Sequence, residues 1–252
     1  MNKKFVSSKN HIMSDIFGIS KYFDHFFSKM FKHVFHRIYQ LYPYFFNQLF
    51  GSLEKRLYLC TLKQGNMKKL TMLEMGRIDA ATFKAASKMP LIIILDNVRS
   101  LNNIGSVFRT SDAFRVESIY LCGISATPPS PEIHKTALGA ENSVDWRHFD
   151  DTHDAVRELQ QRGYRVMAIE QCEGSTMLDE WQPVWADSEG GPQGYAIVMG
   201  NEVKGVQQSV VDMCDGCLEI PQFGTKHSLN VAVTTGLVIW DFFKNYSKIC
   251  RL

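Results

Sequence analysis

Several familiar signatures are missing from this chain of 252 residues. No apolar run leads into GxGxxG or GxxxxGK[ST], so the phosphate grip of dinucleotide-binding and P-loop folds is absent. No GxSxG elbow occurs either. His227 and Ser228 are adjacent on one loop, with Asp96 far upstream, and such an arrangement does not define a hydrolase triad. Cys214-x-x-Cys217 is a single CxxC without a second pair or a nearby His pair, which argues against zinc. The other cysteines (Cys60, Cys122, Cys172 and Cys250) follow no regular spacing, as in a cytosolic protein with reduced thiols. Lys3 and Lys4 are not followed by a continuous apolar segment or a small-residue cleavage site, so no signal peptide is expected. The longest uncharged run, Ile38 to Leu53, contains Pro43, Asn47 and Gln48 and is shorter than the roughly 20 residues that span a bilayer. No internal repeat is visible.

Neither sign of charge dominates, the formal net charge being +2, but the charge is unevenly placed. Residues 1–66 hold 10 of the 28 Lys/Arg and 3 of the 26 Asp/Glu, an excess of seven positive charges that leaves residues 67–252 with five negative. The same segment holds 10 of the 17 Phe, 5 of the 9 Tyr and 4 of the 8 His. Phe23, Phe26, Phe27, Met30, Phe31, Val34, Phe35 and Ile38 recur at helical spacing, with Lys29, Lys32, His33, His36 and Arg37 largely between them. A basic amphipathic helix of this kind suits a membrane or RNA surface. It equally suits packing on its own domain or on an oligomer, or a poorly ordered leader. A further expectation places the natural start at Met67, where composition becomes ordinary, and assigns residues 1–66 to an over-extended reading frame. The intact mass of the endogenous protein decides that point, a mass near 28.8 kDa ruling it out.

Hydrophobic content of 45% against 21% charged is that of a globular protein with a proper core. After Met67 strands and helices alternate. Leu91–Leu95 and Tyr195–Met199 are short, fully apolar runs, the mark of parallel strands buried on both faces. Between and after them the pattern predicts a helix from about Ile104 to Phe114 and a strand Ser118–Cys122. A short helix near Glu132–Leu138 and a strand Val144–Phe149 come next. Asp151–Arg162 reads as a helix capped by Asp151 or Thr152, followed by a strand Tyr164–Ile169. Gly174–Gly194 reads as loop, Leu218–Ile220 as the last strand, and a long apolar helix starts near Ser228. This is the pattern of an α/β protein: an open, mostly parallel sheet with helices on both faces.

Three segments carry candidate chemistry. The first runs from Leu95 to Thr110 and lies at a strand's carboxyl end, where open α/β sheets bind ligands. Asn102 or Asn103 is the expected helix cap, Gly105 lets another backbone come close, and Ile104, Val107 and Phe108 form the packing face. Arg109, one turn beyond Gly105, suits a phosphate or ribose partner, although most helix arginines are simply solvated. The second is Val198–Val206 (VMGNEVKGV), a strand breaking into a glycine-flanked turn. Gly200 and Gly205 permit tight geometry and close approach, while Glu202 is either exposed or turned to orient Asn and Arg side chains. The third begins at Ile220 (IPQFGTKHSLNVAVTTGL). Ser228 and Asn230 flank the start of the last helix, where free N–H groups favour an electron-rich ligand, and Ser228 alone reads as a cap. Val233, Leu237 and Trp240 form a stripe suited to core or subunit interface rather than to a cofactor.

The order and spacing of NNIGSVFR, MGNEVKGV and IPQFGTKHSLNVAVTTGL resemble the SpoU (TrmH-type) RNA 2′-O-ribose methyltransferases of the SPOUT superfamily, over roughly residues 88–246. The resemblance divides the chain into an aromatic, basic extension (1–66), a lead-in (67–87) and a SpoU methyltransferase domain (88–252). It implies a deep trefoil knot in the C-terminal part of the sheet, an exception to unknotted topology. It further implies S-adenosylmethionine (SAM) as cofactor, transfer or ribosomal RNA as substrate, a cytoplasmic homodimer with composite active sites, and no metal. By motif, Arg109 holds RNA phosphate and helps activate the ribose 2′-hydroxyl. Asn103 and Glu202 shape that pocket, Ser228 and Asn230 stand near the transferred methyl, and the backbone at Gly200, Ile220 and Leu229 cradles SAM. Residues 1–66 do not look like the compact α/β RNA-binding module that precedes the domain in some relatives. With an acidic catalytic part, RNA contacts fall to local groups such as Arg99, Arg109, Arg115, Lys135, Lys204 and Lys226, or to the extension. The rival readings are a knotted RNA-binding protein without catalysis and, less well matched to the first motif, a base-modifying SPOUT enzyme.

Overall fold

In a computed structural model of the protein, the described residues are 68–71, 74–185, 190–226 and 228–247. The helix expected within residues 23–38 and the start at Met67 lie outside them. The chain divides into two compact units, Met1–Met75 and Gly76–Leu252, and the elements below belong to the second.

The elements run α1 (Ala80–Ala85), β1 (Met89–Asp96), α2 (Leu101–Ala113), β2 (Val116–Cys122), α3 (Pro131–Ala137), α4 (Ala140–Ser143) and β3 (Asp145–Phe149). They continue α5 (Thr152–Gln161), β4 (Tyr164–Ile169), β5 (Thr176–Met177), β6 (Gly194–Met199), α6 (Gln208–Val211), β7 (Gly216–Glu219) and α7 (Val231–Tyr246). The seven strands form one sheet in the order β3-β2-β1-β6-β4-β7-β5, and every pairing is parallel. The expected α/β architecture is present.

Alternation along β1 explains the layering. Leu91, Ile93 and Leu95 face one way and pack with Ile104, Val107 and Phe108 of α2 and Val238, Ile239 and Phe242 of α7. Ile92 and Ile94 face the other way, against Ala155, Val156 and Leu159 of α5. Both faces of β1 and β6 are thus covered, which is why these strands are apolar without interruption. On the first face α2 and α3 pack closely. A Cβ on Gly105 would lie 2.3 Å from the Ile133 carbonyl oxygen, so glycine is what allows that approach, as its place in the sequence suggested.

Several boundaries differ from the sequence reading. Helix α2 opens at Leu101 with Ser100 as cap, its Oγ accepting from Asn103 N at 3.3 Å, so neither Asn102 nor Asn103 caps it. The last helix opens at Val231 with Asn230 as cap rather than Ser228. The last strand ends at Glu219, leaving Ile220 beyond it. The 174–194 stretch contains the two-residue strand β5, drawn into the sheet by β7. Val233, Leu237 and Trp240 are 55%, 44% and 52% exposed and so are not core. No helix among the described residues is long and apolar enough to cross a membrane.

Candidate functional site

The strand order sets the site. From β1 the chain steps outward through β2 to β3, then returns to the other side, where β6 comes to lie beside β1. At such a reversal the loops leaving two neighbouring parallel strands diverge and open a crevice at their carboxyl ends. The first and second motifs are the loops that leave β1 and β6.

They are stitched together by hydrogen bonds. Asn201 Nδ2 donates to the Asn97 carbonyl at 2.7 Å, while its Oδ1 accepts from Val203 N and Lys204 N and shapes the turn. Asn201 N and Gly205 N each bond the other's carbonyl. A Cβ on Gly200 would stand 2.1 Å from Gly205 C and 2.2 Å from Val206 N, so this turn closes only on glycine. Glu202 reaches back to the first motif. Its Oε2 accepts from Arg99 N at 3.1 Å, and its Oε1 accepts from Ser100 N at 3.0 Å and from Asn103 Nδ2 at 3.1 Å. Asn103 Oδ1 in turn accepts from Asn230 Nδ2 at 3.2 Å, while Asn230 Oδ1 caps α7 through Ala232 N and Val233 N. Glu202, Asn103 and Asn230 therefore form one chain through all three motifs. Burial raises the Glu202 pKa, but the N–H groups of Arg99, Glu202 and Ser100 and the Asn103 amide outweigh it and hold the carboxyl below its usual range.

Beside this chain lies a cleft of about 520 Å³ at the carboxyl ends of β4, β6 and β7. Gly200, Glu202, Ile220, Ser228 and Leu229 line it, as does Ile169. Leu229 is 41% exposed, which leaves an apolar surface open toward the cleft. Its volume, with apolar patches at Ile169, Ile220 and Leu229 set in a mostly polar lining, suits a small organic ligand. Arg109 is not part of this cleft. It is exposed and lines a second depression with Arg115, Asp112 and Leu138. Of the eight expected site residues, five line the cleft and two more join it through Glu202, leaving Arg109 apart.

Sequence reasoning missed three supports. Asn201 follows the glycine at the strand end, and an Asn that bonds backbone two residues on is a known turn former, so a signal existed. Glu170 accepts from Val206 N at 3.0 Å and backs the same turn, and nothing local marked it. Asp96, fully buried, is the third: its Oδ1 accepts from Thr152 Oγ1 at 2.6 Å and Asn97 Nδ2 at 2.9 Å, and its Oδ2 from Gln207 N at 3.3 Å. Bonded in this way, Asp96 serves the fold and has no part in a triad.

Known proteins are similar to this part of the chain. Among curated relatives, a 23S rRNA (guanosine-2′-O-)-methyltransferase of Neisseria meningitidis is 30% identical over 153 residues, 61% of this chain and 58% of that protein. The chain thus spans under two thirds of that relative's length. Two solved structures share the fold at 24% identity and a TM-score of 0.56. One is an AdoMet-bound rRNA methyltransferase from Sinorhizobium meliloti (64% of this chain, 59% of that one). The other is a TrmH/SpoU tRNA modifying enzyme from A. aeolicus (67% and 81%). The SpoU rRNA Methylase family model matches residues 90–240, which takes in β1 from Pro90, the last helix as far as Trp240 and every residue of the hydrogen-bonded chain. With more than half of its length accounted for in this way, the protein belongs to the SpoU rRNA Methylase family.

Proposed function

We propose that the protein transfers a methyl group from SAM to a ribose 2′-hydroxyl of ribosomal or transfer RNA. The observation that carries this is the Glu202–Asn103–Asn230 chain, which ties the three motifs into one polar edge along a cleft with apolar patches. The name of the Neisseria meningitidis relative, a 2′-O-methyltransferase, supports the same chemistry.

The residues present fit SAM. Ile169, Ile220 and Leu229 offer apolar faces to an adenine, and Gly200 leaves the strand end without a side chain where backbone meets the ligand. Bound there, SAM would supply an electrophilic sulfonium methyl for the 2′-oxygen, with S-adenosylhomocysteine as the leaving product and the hydroxyl proton passing to solvent. Asn230 is fixed by capping α7 and by Asn103, so it presents a rigid polar group at that edge. Ser228, released from the capping role, keeps its hydroxyl at the cleft. Arg109 supplies positive charge for phosphate and for the oxygen as it loses its proton. Because Arg109 lies outside the cleft, its contribution suits a composite site in which a second subunit brings the two regions together.

A homodimer accounts for the exposed stripe on α7. Val233, Leu237 and Trp240 recur at i, i+4 and i+7, and Trp240 meets Phe114, the residue just past α2, with ring centroids 5.9 Å apart. Leu237→Glu is expected to halve the mass seen by light scattering, and an unchanged mass rules this face out as the dimer contact. The C-terminal knot and a cytoplasmic location belong to the same reading, supported by family membership.

The function is tested with the full chain. Calorimetric titration with SAM is expected to detect binding, and labelled methyl is expected in RNA as a 2′-O-methyl nucleoside by mass spectrometry. Without SAM binding the inactive RNA-binding alternative takes over, and a methylated base selects the base-modifying one. Arg109→Ala is expected to lower incorporation while SAM affinity holds.

A further inference from the structure

Cys217 belongs to the CxxC of the sequence, a motif that methyl transfer leaves unused. The fold gives it a different neighbour. Cys214 Sγ donates to the Val210 carbonyl at 3.2 Å. Cys217, on β7, instead has its Sγ 3.1 Å from that of Cys172, which lies 45 residues earlier in the loop leaving β4. Both are free thiols and both are half-buried, so a small reagent can reach them, whereas Cys122 is fully enclosed.

The pair lies beside the cleft. Glu170, two residues before Cys172, and Glu219, two after Cys217, both line it. Cys217 Sγ is 3.3 Å from the Glu170 carbonyl oxygen. The Glu170 carboxylate accepts from Val206 N at 3.0 Å and lies hard against the glycine turn, since a Cβ on Gly205 would come within 2.1 Å of it. On the other side, Ser175 N donates to the Cys172 carbonyl at 3.1 Å and Ser175 Oγ donates to Glu219 Oε2 at 2.7 Å. About 1 Å of approach brings the two sulfurs to bonding distance. That approach draws the β4 loop onto β7 and ends the thiol's contact with Glu170. In a close-packed edge the shift passes to the carboxylates on either side and to the turn that Glu170 backs.

We propose that Cys172 and Cys217 form a thiol–disulfide site oxidised by small disulfides, and that their disulfide weakens the hold of the neighbouring cleft on SAM. The second half rests on the reading of that cleft as the SAM site. In the exchange, the Cys172 thiolate attacks one sulfur of the reagent, and the other sulfur leaves as a thiolate and takes up a proton. Cys217 then attacks the Cys172 sulfur of this mixed disulfide, its proton passing through water to the second departing thiolate. One reagent disulfide becomes two thiols as two protein thiols become one disulfide, so atoms and electrons balance. Cys172 goes first because burial, with the Cys172 thiol alongside, pushes the Cys217 pKa up to about 12 and keeps that thiol protonated. A partly exposed disulfide of this kind is readily reduced again.

The test uses the full chain, treated with oxidised glutathione and then with dithiothreitol. Peptide mass mapping of the oxidised protein is expected to find Cys172 joined to Cys217, two hydrogens lighter than the free thiols. Calorimetric titration is expected to show SAM binding weakened by about 5-fold or more, the lower end of ordinary coupling between two sites, and restored by dithiothreitol. Cys172→Ser and Cys217→Ser are each expected to bind SAM like the reduced wild type with or without oxidised glutathione. A Cys214–Cys217 bond, a lasting glutathione adduct or no disulfide at all in the wild type overturns the proposal. So does a Cys172–Cys217 disulfide that leaves SAM affinity unchanged, or an equal loss of affinity in the oxidised serine variants. Reduced wild type that binds no SAM refutes the SAM reading and the second half with it, while the mapped disulfide still decides the first.

Discussion

Glu202→Ala is expected to lower methyl transfer by on the order of 100-fold, because displacements of about 1 Å at a reacting centre cost that much. The carboxylate accepts from two backbone N–H groups of the first loop and from Asn103 Nδ2, and Asn103 is the partner of Asn230. Alanine frees all three donors at once, so the β1 loop, Asn103 and the α7 cap lose their common anchor. Glu202→Gln is expected to fall between, since one oxygen can still serve Ser100 N and Asn103 Nδ2 while an amide NH2 faces the Arg99 N–H. Wild-type turnover in the alanine variant would refute the role given to this chain. Glu202 also makes a pH prediction. Its folded pKa lies below the ordinary value of 4.5, so the stability it contributes is fully present above that value. As pH falls through the folded pKa the carboxyl protonates and the contribution is lost. Thermal melting from pH 7 to pH 3 should therefore show a smaller acid-induced loss in Glu202→Ala than in wild type.

Much of the fold was legible because its strands are buried on both sides. Leu91–Leu95 and Tyr195–Met199 announce themselves as apolar runs, and the structure extends them only to Met89–Asp96 and Gly194–Met199. The helices α4 and α6 have four residues each, too few for any helical period to register, and α1 has six. Strand β5 has two residues, partly exposed, and exists because β7 passes beside it. Capping was ambiguous for a different reason. Ser100, Asn102 and Asn103 are all good caps, and the choice depends on Glu202, which recruits Asn103 from 99 residues away. The Asn103–Asn230 bond spans 127 residues. No local pattern reports such pairs, and only the order of the three motifs pointed to them. That order did not reveal how far Arg109 stands from the cleft. Position 109 is six residues beyond Asn103, where the helix has turned by about 240°, well away from the face that meets Glu202.

Asp96 was the residue most easily misjudged from sequence, and its replacement is expected to cost the most stability. A carboxylate at a strand end reads as a polar terminator, yet this one is 0% exposed. It joins three places that are distant in sequence: the end of β1, Thr152 at the start of α5, and Gln207 just past the second motif. Replacement by alanine leaves a small void, strands the buried Thr152 hydroxyl and unpairs the part-buried Gln207 N–H. Buried polar groups left unpaired cost about 1–3 kcal/mol each, so Asp96→Ala is expected to destabilise by roughly 3 kcal/mol in urea unfolding. Asp96→Asn should cost less, because its Oδ1 can still accept from Thr152 while its NH2 opposes the Gln207 N–H. The difference between the two variants separates volume from hydrogen bonding: equal losses would mean that the charge matters more than the oxygens' geometry. Because Gln207 follows the turn that carries Glu202, the alanine variant should also weaken SAM binding at temperatures where it remains folded. Unchanged stability in Asp96→Ala would show that the two ligand-bearing loops are held in register by the sheet alone.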